Sequence, residues 1–576
     1  MNFQQLIEAF QRNTLDVSLP NFRPELALCV TIVAMLLARL PRWGWKINSF
    51  WIALPGSLIA LYYAAPWQNL DAGRQEIFTG MLVYDGLTVY FRSVLMLFAV
   101  LFLVLTQLSG IPDREDSPDF YTLILGGTLG MCIMASANHL LMVFLGVEMA
   151  SVPSYALAGM LKGRRTASEA ALKYSVYGAG AAGVMLYGIS LLAGALGSAH
   201  LPTMVQQMVS MSAEGWADRQ TVLMLGGLMM LVGLAFKLSA VPFHFWCPDV
   251  FEGASAEVNA FLSVASKAAA LALLVRVSLG FAYLPPAAPE AAKHETTAVQ
   301  QIDADKTPVA LASGTSSAKI ISVSAIEKPS HDDAASVSAV STPADRMAAT
   351  RKYIVGLVAF LAAITCTFGN LAAYAQTNIK RLLAYSTIAH AGYMMMPVAA
   401  AVALVGKDNK AAESAVAAVA LYVGVYLFMN LGAFAIVAFL RNAIRSEEIS
   451  DYAGLIRSCP GLAICFSLIL VSLIGIPPLS GFAAKLVAFY ALVPADLYWL
   501  LFVGGINTVI SLFYYLRVIK VMTIDPEPAG RVPINFSAIS AEGVYVVLIT
   551  LPVVILGVWW DPLNRWAQTA AAHLLS

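Results

Sequence analysis

Apolar runs of roughly 17–25 residues follow one another along this chain and leave it few ways to fold. A run of that length crosses the hydrocarbon of a bilayer as an α-helix, because a helix satisfies every backbone N–H and C=O within itself. Of 576 residues, 59% are hydrophobic and only 12% charged. Mean hydropathy is +0.72. A water-soluble domain of this size is excluded. The expected fold class is an all-α polytopic membrane protein with about fourteen transmembrane helices. They are placed near 25–41, 49–66, 81–109, 119–137, 139–161, 171–197, 221–246, 257–282, 353–375, 382–404, 413–440, 461–491, 498–520 and 541–560.

Net charge is +0, so nothing points to nucleic acid. Six cysteines occur without a C-x-x-C pair. That spacing argues against iron–sulfur clusters, zinc or a disulfide framework. The first twenty residues lack a basic stretch followed by an apolar core, so no cleavable signal peptide is expected.

Loop cations set the expected orientation. Arg39, Arg42 and Lys46 fall on one side of the span count, as do Lys162, Arg164 and Arg165, then Lys380 and Arg381, then Arg441, Arg445 and Arg457, then Arg517, Lys520 and Arg531. By the positive-inside rule that side is cytoplasmic and both termini are non-cytoplasmic. The chain divides into helices one to three (1–118), a first unit (119–283), an insert (284–350), a second unit (351–522) and a C-terminal loop and helix (523–576). The insert is rich in Ala, Ser, Thr, Asp, Glu and Lys, a composition that buries too little apolar surface to fold alone.

Two spans carry signs of a broken helix. Leu223–Phe251 holds Lys237, then Pro242 and His244. Leu462–Leu492 holds Ile476-Pro477-Pro478, then Lys485. Proline breaks the backbone ladder, and an intramembrane lysine is costly unless it faces a cavity or a partner. Proline-interrupted spans in corresponding positions suggest repeated transporter halves, although lysine precedes proline in one and follows it in the other. Five further positions complete a candidate proton path. Glu148 lies mid-span and holds or releases a proton according to its neighbour. Lys173 opens the next span and is expected to be a switchable partner of Glu148. His244 follows Lys237 by two helical turns, on the same face were the helix unbroken. Lys267 sits in AFLSVASKAAALALLV with no acid within a turn or two. His390 lies between the lysine spans in order and suits a relay. Two lysines about 8 Å apart at an effective dielectric near 20 repel by roughly 2 kcal/mol, so protonating one tends to displace a proton from the next.

Gly178-Ala179-Gly180-Ala181-Ala182-Gly183 matches the dinucleotide fingerprint but lies inside an apolar span with no preceding strand, so close helix packing is the reading adopted. No phosphate loop, thiol ligand set or catalytic triad is present.

At these residues the chain resembles a known family. FKLSAVPFHFWCPDVFEG followed by AFLSVASKAA, Pro24-Glu25, YDGLTVYFR at 84–92, IKRLLAYSTIAHAGY at 379–393 and GIPPLSGFAAK at 475–485 are similar to the subunit N family, antiporter-like membrane-arm subunits of proton-pumping NADH-quinone oxidoreductase (respiratory complex I). The resemblance implies fourteen helices with two inverted five-helix repeats (spans four to eight and nine to thirteen), each containing a broken helix. It implies a half-channel in each repeat, joined by a polar axis. Glu148, Lys173, Lys237, Lys267 and Lys485 match proton-path residues of the family, and His244 and His390 match its recurring histidines. No cofactor is implied in this chain. NADH, FMN, iron–sulfur clusters and quinone belong to partner subunits. Expected partners are the other complex I subunits, especially neighbouring antiporter-like and small membrane subunits, and the lipid bilayer; the expected location is the bacterial inner membrane. A long lateral helix, as in subunit L, has no room after the last span, and Lys485 replaces the glutamate expected of subunit M. Two features depart from the family. Ala254-Ser255-Ala256-Glu257-Val258 replaces a proline-rich turn and adds Glu257 at the cytoplasmic mouth, and the insert at 284–350 is unusually long. Other readings are a subunit of a multi-subunit Na+/H+ antiporter, a related redox pump with another electron donor, and a membrane scaffold. The last leaves the buried lysines unexplained.

Overall fold

Helix is the one arrangement that these apolar runs adopt in the computed structural model. It describes residues 11–40, 48–64, 70, 73–113, 115–161, 163–283, 343–528, 537, 539–572 and 574–575. In order, the helices are α1 (Arg23–Ala38), α2 (Phe50–Ala64), α3 (Gly86–Ser109), α4 (Ser117–Ser136), α5 (Leu140–Ala158), α6 (Arg165–Leu196), α7 (Leu201–Ser210), α8 (Ala213–Leu238), α9 (Trp246–Gly253), α10 (Ala256–Ser263), α11 (Ala265–Ala282), α12 (Pro343–Ala373), α13 (Ile379–Leu404), α14 (Asn409–Ile444), α15 (Pro460–Ile474), α16 (Ser480–Tyr490), α17 (Tyr498–Thr523), α18 (Ala541–Val558) and α19 (Asp561–Ala571). Eleven of the described helices are long and apolar enough to cross a membrane, or twelve if the bent pair Asn13–Asn21 and Arg23–Ala38 is one span. Phe50–Ala64 and Pro460–Ile474 are shorter apolar helices.

Several boundaries differ from the sequence reading. A two-stranded hairpin, Gln75–Ile77 against Leu82–Tyr84, precedes α3, so the span expected from 81 starts at Gly86. Asp85 caps it, accepting from Thr88 N at 2.8 Å. Helix α12 reaches back to Pro343, into the stretch assigned to the insert. Residues 284–342 lie outside the described residues, as do Arg42, Lys46, Lys162 and Arg531.

Layering follows from what each helix can show to lipid. The α10–α11 segment is wholly buried, and α13 and α14 nearly so, whereas α6, α17 and α18 present Leu172, Tyr187, Phe502, Phe513 and Leu548 outward. With no hydrophobic drive between helices in lipid, small residues let backbones approach closely. A Cβ on Gly392 of α13 would lie 2.5 Å from Cys366 N, and one on Gly369 of α12 would lie 2.6 Å from Ala389 N, so two glycines seat α12 against α13. The glycines of the dinucleotide-like stretch lie within α6; Gly178 admits the Tyr155 hydroxyl, while Gly180 and Gly183 face open space.

Two buried ion pairs fasten the N-terminal helices to the body. Arg92 Nε lies 2.9 Å from Glu25 Oε1, with both side chains almost fully buried. Arg276 of α11 grips Asp85 through two contacts of 2.5 Å and also donates to Thr88 Oγ1 and Ala135 O. Removing one member of such a pair strands a buried charge, at a cost of about 3–5 kcal/mol. Arg276→Leu is therefore expected to lose its folded, monodisperse state in detergent at a markedly lower temperature, with Arg276→Lys intermediate. An Arg276→Leu chain that melts with the parent would show the pair to be dispensable.

Candidate functional site

A helix that stops in a buried, apolar place leaves its last carbonyls without intrahelical donors. Helix α8 stops this way. Lys237 is its penultimate residue, Ser239 turns left-handed at φ 57°, and residues 239–245 run without α-helix until α9. Neighbouring side chains supply what the break removes. Leu238 O accepts from Lys267 Nζ at 2.9 Å, Phe236 O from Trp246 Nε1 at 3.1 Å, and Thr365 Oγ1 of α12 accepts from Val241 N at 3.0 Å. Lys237 itself points the other way, donating to Ser151 Oγ of α5 at 3.0 Å.

The second break repeats the device. Helix α15 ends at Ile474, and Gly475 follows at φ 89°, a conformation that favours glycine. A Cβ there would also lie 2.9 Å from Lys485 Cδ. Ile474 O accepts from Lys485 Nζ at 2.8 Å, and Ser472 Oγ accepts from Gly481 N at 3.0 Å. In contacts, Lys485 thus corresponds to Lys267 and not to Lys237, the lysine that the proline pattern paired it with. Both ammonium groups lie at the carbonyl end of a helix, the negative end of its dipole.

Helix α13 joins these two lysines through Thr387, His390 and Tyr393, three residues apart and on one face. Thr387 O accepts from Lys267 Nζ at 3.1 Å. His390 Nδ1 lies 2.9 Å from Tyr422 Oη, and its Nε2 lies 3.5 Å from Tyr515 Oη. Lys485 Nζ sits 4.4 Å from the centre of the Tyr393 ring. Amides complete the surroundings: Asn370 donates to Tyr393 Oη and accepts from Tyr514 Oη, and Asn430 donates to Tyr426 Oη. Sequence reasoning missed Asn370, Asn430, the tyrosines and Asn507 of α17, whose Oδ1 accepts from Asn370 Nδ2 at 3.3 Å. A search for uncharged amides inside apolar runs would have found the three asparagines.

The remaining candidates are placed differently from expectation. Glu148 is half-buried on α5, one turn before Ser151, and so shares a helix with the acceptor of Lys237. Lys173 is not paired with Glu148. Its Nζ lies 2.7 Å from Asp249 Oδ2 and 2.9 Å from Glu169 Oε1, because the break swings α9 and its Asp249 beneath α6. Arg381 joins the same network through Asp249 and Glu252. His244 does not continue the Lys237 face, since the helix is interrupted before it. Its ring packs between Phe245 and Phe368, and its Nδ1 has no hydrogen-bond partner among the described residues. Lys380, counted above as a loop cation, is 1% exposed, held by Glu447 Oε2 at 2.8 Å and Ala254 O at 2.9 Å. Glu257 is fully buried and paired with Arg441.

Comparison with known proteins places this arrangement. The family model described as NADH:quinone oxidoreductase/Mrp antiporter, TM matches residues 137–289 and 334–511. NADH-quinone oxidoreductase subunit N of Anaeromyxobacter sp. strain Fw109-5 is 35% identical over 95% of this chain and 96% of its own length. A chain of respiratory complex I from Thermus thermophilus, 27% identical, superposes with a TM-score of 0.66 over 94% of this chain and 98% of that one. A chain of the Mrp complex from a Dietzia species, 18% identical, shares the fold with a TM-score of 0.70 over 97% of this chain and 98% of that one. With its broken helices, its buried lysines and this likeness over nearly its whole length, the chain belongs to the NADH-quinone oxidoreductase subunit N family of antiporter-like membrane proteins.

Proposed function

We propose that this chain is a proton-translocating membrane subunit of NADH:quinone oxidoreductase. It couples electron transfer in other subunits to outward proton pumping through Glu148, Lys173, Lys237, His244, Lys267, His390 and Lys485. In this reading the two shorter apolar helices also cross, bringing the spans to about fourteen. Spans four to eight and nine to thirteen form inverted five-helix repeats. The chain lies in a bacterial inner membrane with both termini outside the cytoplasm, beside the antiporter-like and small membrane subunits of complex I. NADH, FMN, iron–sulfur clusters and quinone are handled by partner subunits.

The observation that carries this reading is the neutral ligation of the buried lysines. Lys237 is held by a serine hydroxyl, Lys267 by two carbonyls and Lys485 by one carbonyl. Among the described residues no carboxylate lies within 4 Å of any of these three ammonium groups. A carbonyl accepts a hydrogen bond from an ammonium or from a neutral amine alike, so a proton can leave without stranding a buried anion, as it would from a salt bridge. His390 between them has one nitrogen to accept a proton and another to release one. Protonation of one lysine raises the cost of protonating the next, and about 2.3 kcal/mol per charge per 100 mV is the scale that such a coupling must meet.

Lys237→Ala is expected to leave the complex assembled and NADH oxidation by the peripheral subunits intact, while the proton-to-electron ratio of the reconstituted complex falls. A normal ratio in an assembled mutant would sink the lysine mechanism. His390→Phe keeps a ring among Tyr393, Tyr422 and Tyr426 but removes both nitrogens; pumping is expected to slow by about two orders of magnitude, the usual weight of one acid–base group. Unchanged pumping would exclude His390 from the path. Purification through a tag on this chain, followed by mass spectrometry, tests the assembly: flavin and iron–sulfur subunits are expected, and recovery of antiporter subunits alone would overturn the redox reading.

A further inference from the structure

Among the described residues, the path above leaves three buried carboxylates unused: Glu25 and Asp85, which clasp Arg92 and Arg276, and Glu257. Glu257 is fully buried in the first turn of α10, where Arg441 of α14 meets it fork to fork, Nη2 to Oε1 at 3.1 Å and Nη1 to Oε2 at 3.4 Å. Close by, Lys380 bridges Glu447 and Ala254 O, the carbonyl three residues before Glu257. Arg441 retains 11% exposure and also donates to the exposed Asn442, so the cluster lies at the rim and not in the middle of the bilayer.

On the other flank of α10, two residues on from Glu257, a polar line runs inward from Asn259, whose Nδ2 donates to Phe251 O. Asn259, Ser263 and Lys267 are spaced i, i+4 and i+8 along α10 and α11, one face of a nearly continuous helix. Opposite, Arg441 and Asn430 stand eleven residues apart on α14, about three turns and so the same face. Asn430 is followed by Tyr426 and Tyr422, again at four-residue steps, and its Nδ2 reaches Thr387 Oγ1 at 3.5 Å. Apart from Arg441, all of these side chains are buried, yet Asn259 Oδ1 and Asn430 Oδ1 have no hydrogen-bond partner among the described residues. A buried amide oxygen without a donor is costly unless water reaches it. The two free acceptors lie on packed helices, Asn259 near the Glu257 end and Asn430 at the depth of Thr387 and Lys267.

We propose that Glu257 and Arg441 form a proton-loading station, feeding Lys267 along a hydrated line past Asn259, Ser263 and Asn430. A proton from water on the cytoplasmic side adds to a Glu257 oxygen as the carboxyl leaves the Arg441 fork. The carboxylic acid then passes the proton along the water line to the neutral Lys267 amine, giving the ammonium held by Leu238 O and Thr387 O. Glu257 returns to the carboxylate and re-pairs with Arg441. The inference rests on the reading of Lys267 as a proton carrier.

The test uses the whole complex in proteoliposomes, with proton uptake read by a pH-sensitive dye during NADH-driven turnover, and four variants: Glu257→Gln, Glu257→Asp, the double variant Glu257→Gln with Arg441→Gln, and Lys267→Ala. Glu257→Gln is expected to slow uptake about tenfold or more. Glu257→Asp, which keeps the carboxylate, should recover most of the loss, and the double variant, which leaves no unpaired buried charge, should stay slow. Parental rates in Glu257→Gln, or recovery in the double variant, would overturn the proposal and leave the pair a structural clasp. If Lys267→Ala is slow while Glu257→Gln is normal, the loading station alone fails. If Lys267→Ala is also normal, the reading of Lys267 fails with it. Should Glu257→Gln alone not assemble, the double variant decides between a station and a clasp.

Discussion

A lysine ammonium in hydrocarbon must find an oxygen, and a helix that stops in hydrocarbon must find donors. In this protein each need answers the other. The last carbonyl of α8 is held by Lys267, and the last carbonyl of α15 by Lys485. Neither a continuous helix nor an isolated lysine would be tolerated in the same way. Proline and a left-handed residue stop each helix, and the lysine arrives from a segment that the stop allows to approach: from α11 in one case, from the second half of the same span in the other. Placing the ammonium at the negative end of the helix dipole adds to its hold without fixing its charge by a carboxylate.

Apart from Glu148, whose charge is felt by Lys237, the buried carboxylates are paired elsewhere. Glu25 is spent on Arg92, Asp85 on Arg276, and Glu257 on Arg441. The first two pairs lie in helices that pack α1 and α3 against the body, and they act as structural fasteners: paired, hydrogen-bonded and costly to break. Lys173, Asp249, Arg381 and Glu252 form a third arrangement, half-exposed where α6, α9 and α13 meet. Its partly exposed charges are screened by solvent, unlike the two buried fasteners. Among the described residues, then, ion pairs hold the fasteners and the half-exposed network, while Lys237, Lys267 and Lys485 donate to neutral oxygens.

Helix α13 has an unusual share in this arrangement. Its first turn carries Lys380 and Arg381, which tie it to the α9–α10 segment, and its middle carries Thr387, His390 and Tyr393, which touch both axial lysines or lie between them. Gly392 lets α12 pack directly against it, and nearly complete burial keeps lipid away from its polar face.

Much of this was legible in the amino-acid order. Span length follows from bilayer thickness, so the apolar runs fell on helices. Charge and proline inside such runs are rare enough that Lys237, Lys267 and Lys485 stood out singly. Glu25, Asp85 and Arg92 lay within stretches singled out for resemblance, but their pairing partners could not be read, since Arg276 is 191 residues from Asp85 in sequence. What only the tertiary structure decided is who meets whom. It gave Lys173 to Asp249 in place of Glu148, turned His244 off the Lys237 face, buried Lys380, and matched Lys485 with Lys267. The reason is geometric. Periodicity describes one helix at a time, and at a break it ceases to hold, so direction beyond the break is set by neighbouring helices that supply the missing hydrogen bonds.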